Sequence, residues 1–84
     1  MKRIEKITTE QDVRKVLSYM TDVLGLYFHP YYPAAGYITH EGTPMFTAEE
    51  SVHIDDLLVQ SQEFCHSNNM DIYDLTHELK REVV

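Results

Sequence analysis

The sequence lacks any run of apolar residues that approaches the roughly 18 needed to cross a bilayer. Its basic amino-terminal stretch also lacks the apolar segment of a signal peptide. With a single cysteine, Cys65, the 84-residue chain forms no internal disulfide and offers no thiolate cage for zinc. We therefore expect a cytoplasmic protein without a membrane partner, folded as one domain over residues 1–84 with residues 1–6 frayed.

Positive charge is missing from the middle of the chain. No Lys or Arg lies between Val16 and Leu79, yet this interval holds ten acidic residues, the 14 of the chain less those at 5, 10, 12 and 82. Surfaces that bind nucleic acids need clustered Lys or Arg, so we expect no direct nucleic-acid binding. An acidic surface aids solubility and suits a protein partner with a basic surface. An acidic inhibitor that mimics nucleic acid is an alternative hypothesis.

Glycine and proline are scarce, with three of each. The glycines are scattered, so the chain has no glycine-rich phosphate loop, and no serine lies in a nucleophile elbow. Cys65 precedes His66 on a predicted helix, where neighbours point about 100° apart, so the two do not form a nucleophile and its base. We therefore expect a protein that is not an enzyme and that holds no cofactor.

Three amphipathic helices are predicted over about residues 9–24, 48–67 and 72–82, because apolar side chains recur there at three- and four-residue steps. The apolar stripe of the first helix comprises Val13, Val16, Leu17, Met20, Val23 and Leu24. The second stripe comprises Ile54, Leu57, Leu58, Ser61, Phe64 and Cys65, and the third Ile72, Leu75, Leu79 and Val83.

Helix ends are indicated by capping residues. Thr9 with Asp12, or Thr8 with Gln11, would cap the first helix, and the Thr47-x-x-Glu50 pattern is a capping box for the second. The first helix is expected to end at Gly25, the second at Asn68-Asn69, and Asp71 is expected to cap the third.

The segment between the first two helices is rich in proline and tyrosine. Prolines push the preceding residues into extended geometry, so no helix runs through "YFHPYYP" at residues 27–33. Beyond it, a short β-hairpin is predicted over about residues 37–47, with positive φ at Gly42 and an edge position for Pro44. The expected fold class is α+β, mainly α.

The aromatic side chains of this segment are expected to have two roles. Phe28 follows the end of the first helix and is placed to enter the open end of the core. Tyr31 and Tyr32 lie between two prolines in a stiff backbone, and phenol rings suit half-wet contacts. We expect Phe28 to close the core and the tyrosines to contact a partner, with packing of all three on the core as the alternative.

Several of these motifs together resemble small uncharacterised bacterial proteins. The resemblance is carried by Leu24-Gly25-Leu26, by Phe28-His29-Pro30, and by Phe46-Thr47-x-Glu49-Glu50 at the start of a long helix. It covers about residues 24–75 and implies no activity, ligand or catalytic residue.

Three of the five histidines have a carboxylate three positions earlier, a spacing that puts both side chains on one helix face. The pairs are Glu50 with His53, Glu63 with His66, and Asp74 with His77. Thirteen positions at 100° per residue place His53 and His66 about 140° apart around their helix, so they cannot share one site within the chain. A metal- or small-ligand-binding protein that uses these pairs is kept as an alternative.

The leading hypothesis is a small acidic interaction protein that associates with itself. A core this small is marginal alone, and the first helix carries a nearly continuous apolar seam. The expected contact includes part of Val13, Val16, Met20 and Val23 on the first helix, or the outer face of the second helix near Val52 and Val59. We also expect stability to change little between about pH 7 and pH 5, because most of the histidines are expected to be exposed.

Overall fold

The computed structural model describes residues 6–83, with side chains up to Arg81, and is mainly helical. Helix α1 is followed by two short 3-10 turns and then by helices α2 and α3. Their bounds are α1 Glu10–Leu24, turns Gly25–Tyr27 and Ala34–Gly36, α2 Ala48–Ser67, and α3 Ile72–Val83. The mainly helical class and the three helices are therefore confirmed. Of the residues predicted to fray, 1–5 lie outside the described part.

The predicted β-hairpin over residues 37–47 is wrong, since the structure describes this whole segment and forms no strand in it. An isolated antiparallel bridge joins Ile38 and Pro44. The loop closes through the Thr39 N–H, which donates to the Thr43 carbonyl at 2.8 Å. The Met45 N–H also donates to the Tyr37 carbonyl at 3.0 Å, but the Tyr37 N–H donates to the Ala34 carbonyl of the preceding turn and ends the pairing. The expected α+β class therefore reduces to α within the described residues.

Helix ends follow the capping residues. The Thr9 and Thr47 hydroxyls accept the N–H groups of Asp12 and Glu50, and both carboxylates accept an N–H in return. The capping boxes predicted for α1 and α2 are thus confirmed. Of the two caps predicted for α1, the structure has Thr9 and not Thr8. Gly25 ends α1 at φ 60°, a value that glycine adopts without strain.

The core lies where the three helices and the intervening loop meet. Its buried apolar residues are Val13, Val16, Leu17, Met20, Leu24, Phe28, Ala34, Tyr37, Phe46, Ile54, Leu57, Leu58, Cys65, Ile72 and Leu75. Two members of the predicted stripes are less buried, because Phe64 and Leu79 lie at the margin. Val23 is exposed, and the side chain of Val83 lies outside the described residues.

Three buried hydroxyls are satisfied within their own helices. Thr21, Ser61 and Thr76 each donate to the carbonyl four residues earlier, at 2.7 to 2.8 Å. Each helix therefore buries at least one hydroxyl that is paired within the helix, so the cost of burying this polar group is small.

Candidate interaction surface

Three exposed aromatic rings meet where the loop after α1 passes the start of α3. We call His29, Tyr31 and Tyr73 the aromatic patch. The His29 and Tyr73 ring centroids are 5.5 Å apart in an edge-to-face arrangement, and those of Tyr31 and Tyr73 are 5.3 Å apart. Tyr31 is 52% exposed and Tyr73 is 41% exposed. Contacting rings that stay this exposed are typical of a binding surface.

The patch residues point outward because their neighbours point inward. Phe28 and Pro30 are almost fully buried, whereas His29 and Tyr31 are exposed. The Tyr32 N–H donates to the His29 carbonyl at 3.1 Å, so residues 29–32 form a turn with Pro30 and Tyr31 at its centre, where the prolines had predicted an extended segment. The two buried residues therefore fix the direction of the two exposed ones.

The buried Tyr37 is hydrogen-bonded to the backbone of His29. Its hydroxyl accepts the His29 N–H at 3.0 Å and donates to the His29 carbonyl at 3.1 Å. Burial raises the pKa of the Tyr37 phenol, so the group keeps the proton that the second hydrogen bond requires. One side chain thus satisfies both backbone groups of a patch residue.

Two side chains of α2 hold the rest of the loop. The Gln62 amide donates to the Pro30 carbonyl at 2.9 Å, and the Asp55 carboxylate accepts the Ala34 N–H at 2.9 Å. The loop is therefore tied to the longest helix on both sides of Tyr31. These hydrogen bonds order the loop in the free protein, so less conformational entropy is lost when a partner binds.

The His29 ring has a hydrogen bond of its own. Its Nδ1 accepts the Tyr31 N–H at 3.2 Å, which requires an unprotonated Nδ1. The neutral ring therefore carries its proton on Nε2, and the patch presents this donor together with the two phenol hydroxyls.

An open groove of about 520 Å³ continues from the patch along α3. It is lined by Leu26, His77, Lys80 and Arg81. His77 lies four residues after Tyr73, so the two occupy one face of the helix. Tyr73 of the patch and His77 of the groove are therefore neighbours on the surface of α3, with the basic Lys80 and Arg81 beyond them.

The structure separates the two tyrosines that the sequence placed together at the rim. Tyr32 packs edge-to-face on Tyr37 with ring centroids 4.9 Å apart, and its hydroxyl donates to the Gly36 carbonyl at 3.3 Å. Its ring lies so close to Gly36 that a Cβ there would be 2.5 Å away. Tyr32 therefore supports the loop, and Tyr31 is the tyrosine of the pair that joins the patch.

Of the predicted contact on α1, only Val23 lies at the surface. Val16 and Met20 are 5% and 1% exposed, because α1 packs both against the core. This corrects the expectation that they form a seam between subunits. Val52 and Val59 are exposed on the outer face of α2, as expected.

The Asp/Glu-x-x-His pairs do not converge. Glu50 is committed to the capping box, where the Thr47 N–H lowers the pKa of its carboxyl. His53 is half-buried, and the other members, Glu63, His66, Asp74 and His77, are exposed. Across residues 6–81, no three His, Cys, Asp or Glu side chains are grouped so that they could hold a metal ion.

Cys65 is buried, as its place in the apolar stripe predicts. Burial raises the pKa of its thiol, and the charges of Asp71 and Glu10 act in the same direction. A thiol with a raised pKa forms little thiolate, which is the reactive species. The residue therefore fits a structural role in the core.

Two of the three patch residues were missed by sequence reasoning. His29 lies within the Phe28-His29-Pro30 motif, which indicates no contact role, and Tyr73 falls between two apolar positions of α3. The signal that could have found Tyr73 is its place on the helix surface, since a large aromatic outside the apolar stripe is a candidate contact.

No protein-family model, curated protein or solved structure matches this chain. In the part of the chain that the structure describes, no helix has the length and apolar character required to span a membrane.

Proposed function

We propose that this chain is a non-enzymatic protein–protein interaction module and that the aromatic patch is its contact surface. The observation that carries the proposal is the set of three mutually contacting, exposed rings at His29, Tyr31 and Tyr73. Tyrosine is enriched where proteins meet, because it offers a large apolar area and a polar tip with few rotatable bonds.

The support beneath the patch strengthens the proposal. Phe28 and Pro30 anchor the loop in the core, and Tyr37 ties the His29 backbone. Exposed rings on a tethered backbone lose little entropy when a partner covers them. An aromatic surface that is held in place and yet stays exposed suits recognition better than it suits stability alone.

The proposal is tested by binding assays on a double variant, Tyr31→Ala with Tyr73→Ala. The wild-type chain is immobilised, proteins retained from an extract of cells that express it are identified, and each is titrated by calorimetry in purified form. The chain itself is included among the titrants. We expect the double variant to bind at least about tenfold more weakly, since exposed aromatics at the centre of a contact are typical hot spots.

The matched control is Tyr27→Ala. Tyr27 is 87% exposed and lies on the same loop outside the patch, so its removal takes away an aromatic ring without touching the patch. The control should bind as the wild type does. Equal binding by the wild type and the double variant, with melting temperatures unchanged, would show that the patch is not the contact surface.

A further inference from the structure

We propose that the partner of the aromatic patch is a second copy of this chain, docked so that the two α3 helices lie antiparallel with His77 near the two-fold axis. The inference rests on the proposed function, because it uses the same surface. A contact of this kind is isologous, so each pairing between the two copies occurs twice.

The outward face of α3 supplies the residues of this contact. At 100° per residue, its outward positions span about 120°, with His77 in the middle. They are Tyr73, Asp74, His77, Lys80 and Arg81, and the buried Ile72, Leu75 and Thr76 lie away from them. Glu78 is also exposed and borders this face beside Asp74, where it pairs with Arg14 of the same chain. Leu26 extends the face on one side, where it lines the groove with His77.

An antiparallel arrangement makes this face complementary to itself. Positions equally distant from His77 face one another, so Tyr73 meets Arg81 and Asp74 meets Lys80 of the second copy. An arginine over a tyrosine ring is attracted by the negative face of the ring, and the carboxylate attracts the ammonium. Each pairing occurs twice, and the exposed Leu26 and Tyr31 add apolar area beside it.

The outer face of α2 does not have this property. Its exposed stripe runs through Val52, Asp56, Val59, Glu63 and His66. An antiparallel pair centred on Val59 would bring Asp55 against Glu63 of the second copy. Like charges in contact oppose association, and the chain already carries a formal net charge of −7. Local charge therefore favours α3 over α2 as the face that meets a second copy.

Disulfide cross-linking tests directly whether the two copies of position 77 meet near the two-fold axis of the dimer. Helices packed 8–10 Å apart bring facing Cα atoms to about 5 Å, which suits a disulfide. A His77→Cys variant should form a covalent dimer under mild oxidation. Glu63→Cys on the outer face of α2 is the matched control and should form no covalent dimer, and the buried Cys65 of the wild type gives the background.

Charge reversal tests the pairing. Asp74→Lys and the double variant Lys80→Glu with Arg81→Glu should each raise the Kd of the homodimer at least about tenfold, because every altered contact occurs twice. An equimolar mixture of the two should form a heterodimer, in which the lysine introduced at position 74 of one copy faces the glutamate introduced at position 80 of the other. The second Asp74–Lys80 contact of that heterodimer keeps its native residues. The control mixture replaces Asp74→Lys with Glu63→Lys, which adds the same charge on α2 and should not restore association.

The outcomes separate this inference from the proposed function. Cross-linking at His77→Cys with recovery in the first mixture supports the antiparallel dimer. If the chain stays monomeric, or if Glu63→Cys cross-links equally well, the dimer proposed here is wrong. In that case the proposed function is still judged by whether Tyr31→Ala with Tyr73→Ala loses binding to a different protein.

Discussion

In the loop after α1, the burial of one residue orients the next. Buried and exposed side chains alternate there, in the order Phe28, His29, Pro30 and Tyr31. The two buried side chains carry the apolar contact with the core, and the two exposed ones form part of the patch. Because the roles alternate along the chain, stability and binding can be altered separately by substitutions at adjacent positions.

Phe28→Ala should lower the free energy of unfolding by about 3–5 kcal/mol, the usual range for an aromatic truncated in a core. Phe28 is 1% exposed, so its loss leaves a cavity that the pinned loop cannot easily fill. Chemical denaturation gives the value. The adjacent Tyr27→Ala serves as the control and should change stability by no more than about 0.5 kcal/mol. A loss below about 1 kcal/mol at Phe28 would contradict its role in closing the core.

Tyr37→Phe should reduce stability by about 1–3 kcal/mol, because the His29 N–H loses its partner and the His29 carbonyl keeps only the Tyr32 N–H. It should also weaken binding at the patch although no patch residue is changed. Tyr32→Phe is the matched control, since it removes a hydroxyl whose single bond to the Gly36 carbonyl is exposed. Comparable effects from the two substitutions would argue against Tyr37 as the residue that positions the patch.

At the scale of the helices, the starts of α1 and α2 are governed by their capping boxes. Asp12 accepts N–H groups from Thr8 and Thr9, and Glu50 accepts the Thr47 N–H. These backbone hydrogen bonds are the largest cause of the lowered pKa of both carboxyls. The charged forms therefore stabilise the two helix starts.

The lowered pKa values predict loss of stability in acid. A carboxyl with a folded pKa below its unfolded value of about 4 contributes fully above that pH and loses its contribution as the pH falls through the folded pKa. Asp12→Asn with Glu50→Gln should therefore flatten the decrease in stability below about pH 4, measured by urea unfolding at a series of pH values. After Glu50→Gln, the amide oxygen at position 50 can still accept the Thr47 N–H, so the capping box is kept while its charge is removed. Glu49→Gln, in the same turn but outside the box, should leave the decrease as steep as in the wild type.

The elements differ in how far the sequence could predict them. Capping boxes and apolar stripes are local patterns, so the helix bounds agree within one residue with those expected. The hairpin depended on pairing that ends at Tyr37, whose N–H donates to the Ala34 carbonyl, and local turn signals do not reveal this. The patch joins His29 to Tyr73 through the packing of α3 beside a loop, and no local pattern records a contact between residues so distant in sequence.

At the scale of the whole molecule, charge is distributed unevenly. The outer stripe of α2 carries acidic residues, whereas the outward face of α3 carries Asp74 at one end and Lys80 and Arg81 at the other. The predicted weak dependence of stability on pH between 7 and 5 stays a prediction. None of the five histidines is buried in the structure, and His53 is half-buried.

The most direct test of patch-mediated self-association is a concentration series of aromatic NMR spectra of the wild-type chain, from micromolar to millimolar, at about pH 7 and about 0.15 M salt. The six tyrosines act as internal reporters. We expect the Tyr31 and Tyr73 ring resonances to shift together with a single Kd, while those of Tyr27 stay fixed and light scattering approaches twice the monomer mass. Fixed Tyr31 and Tyr73 resonances with a monomeric mass at every concentration would contradict the account.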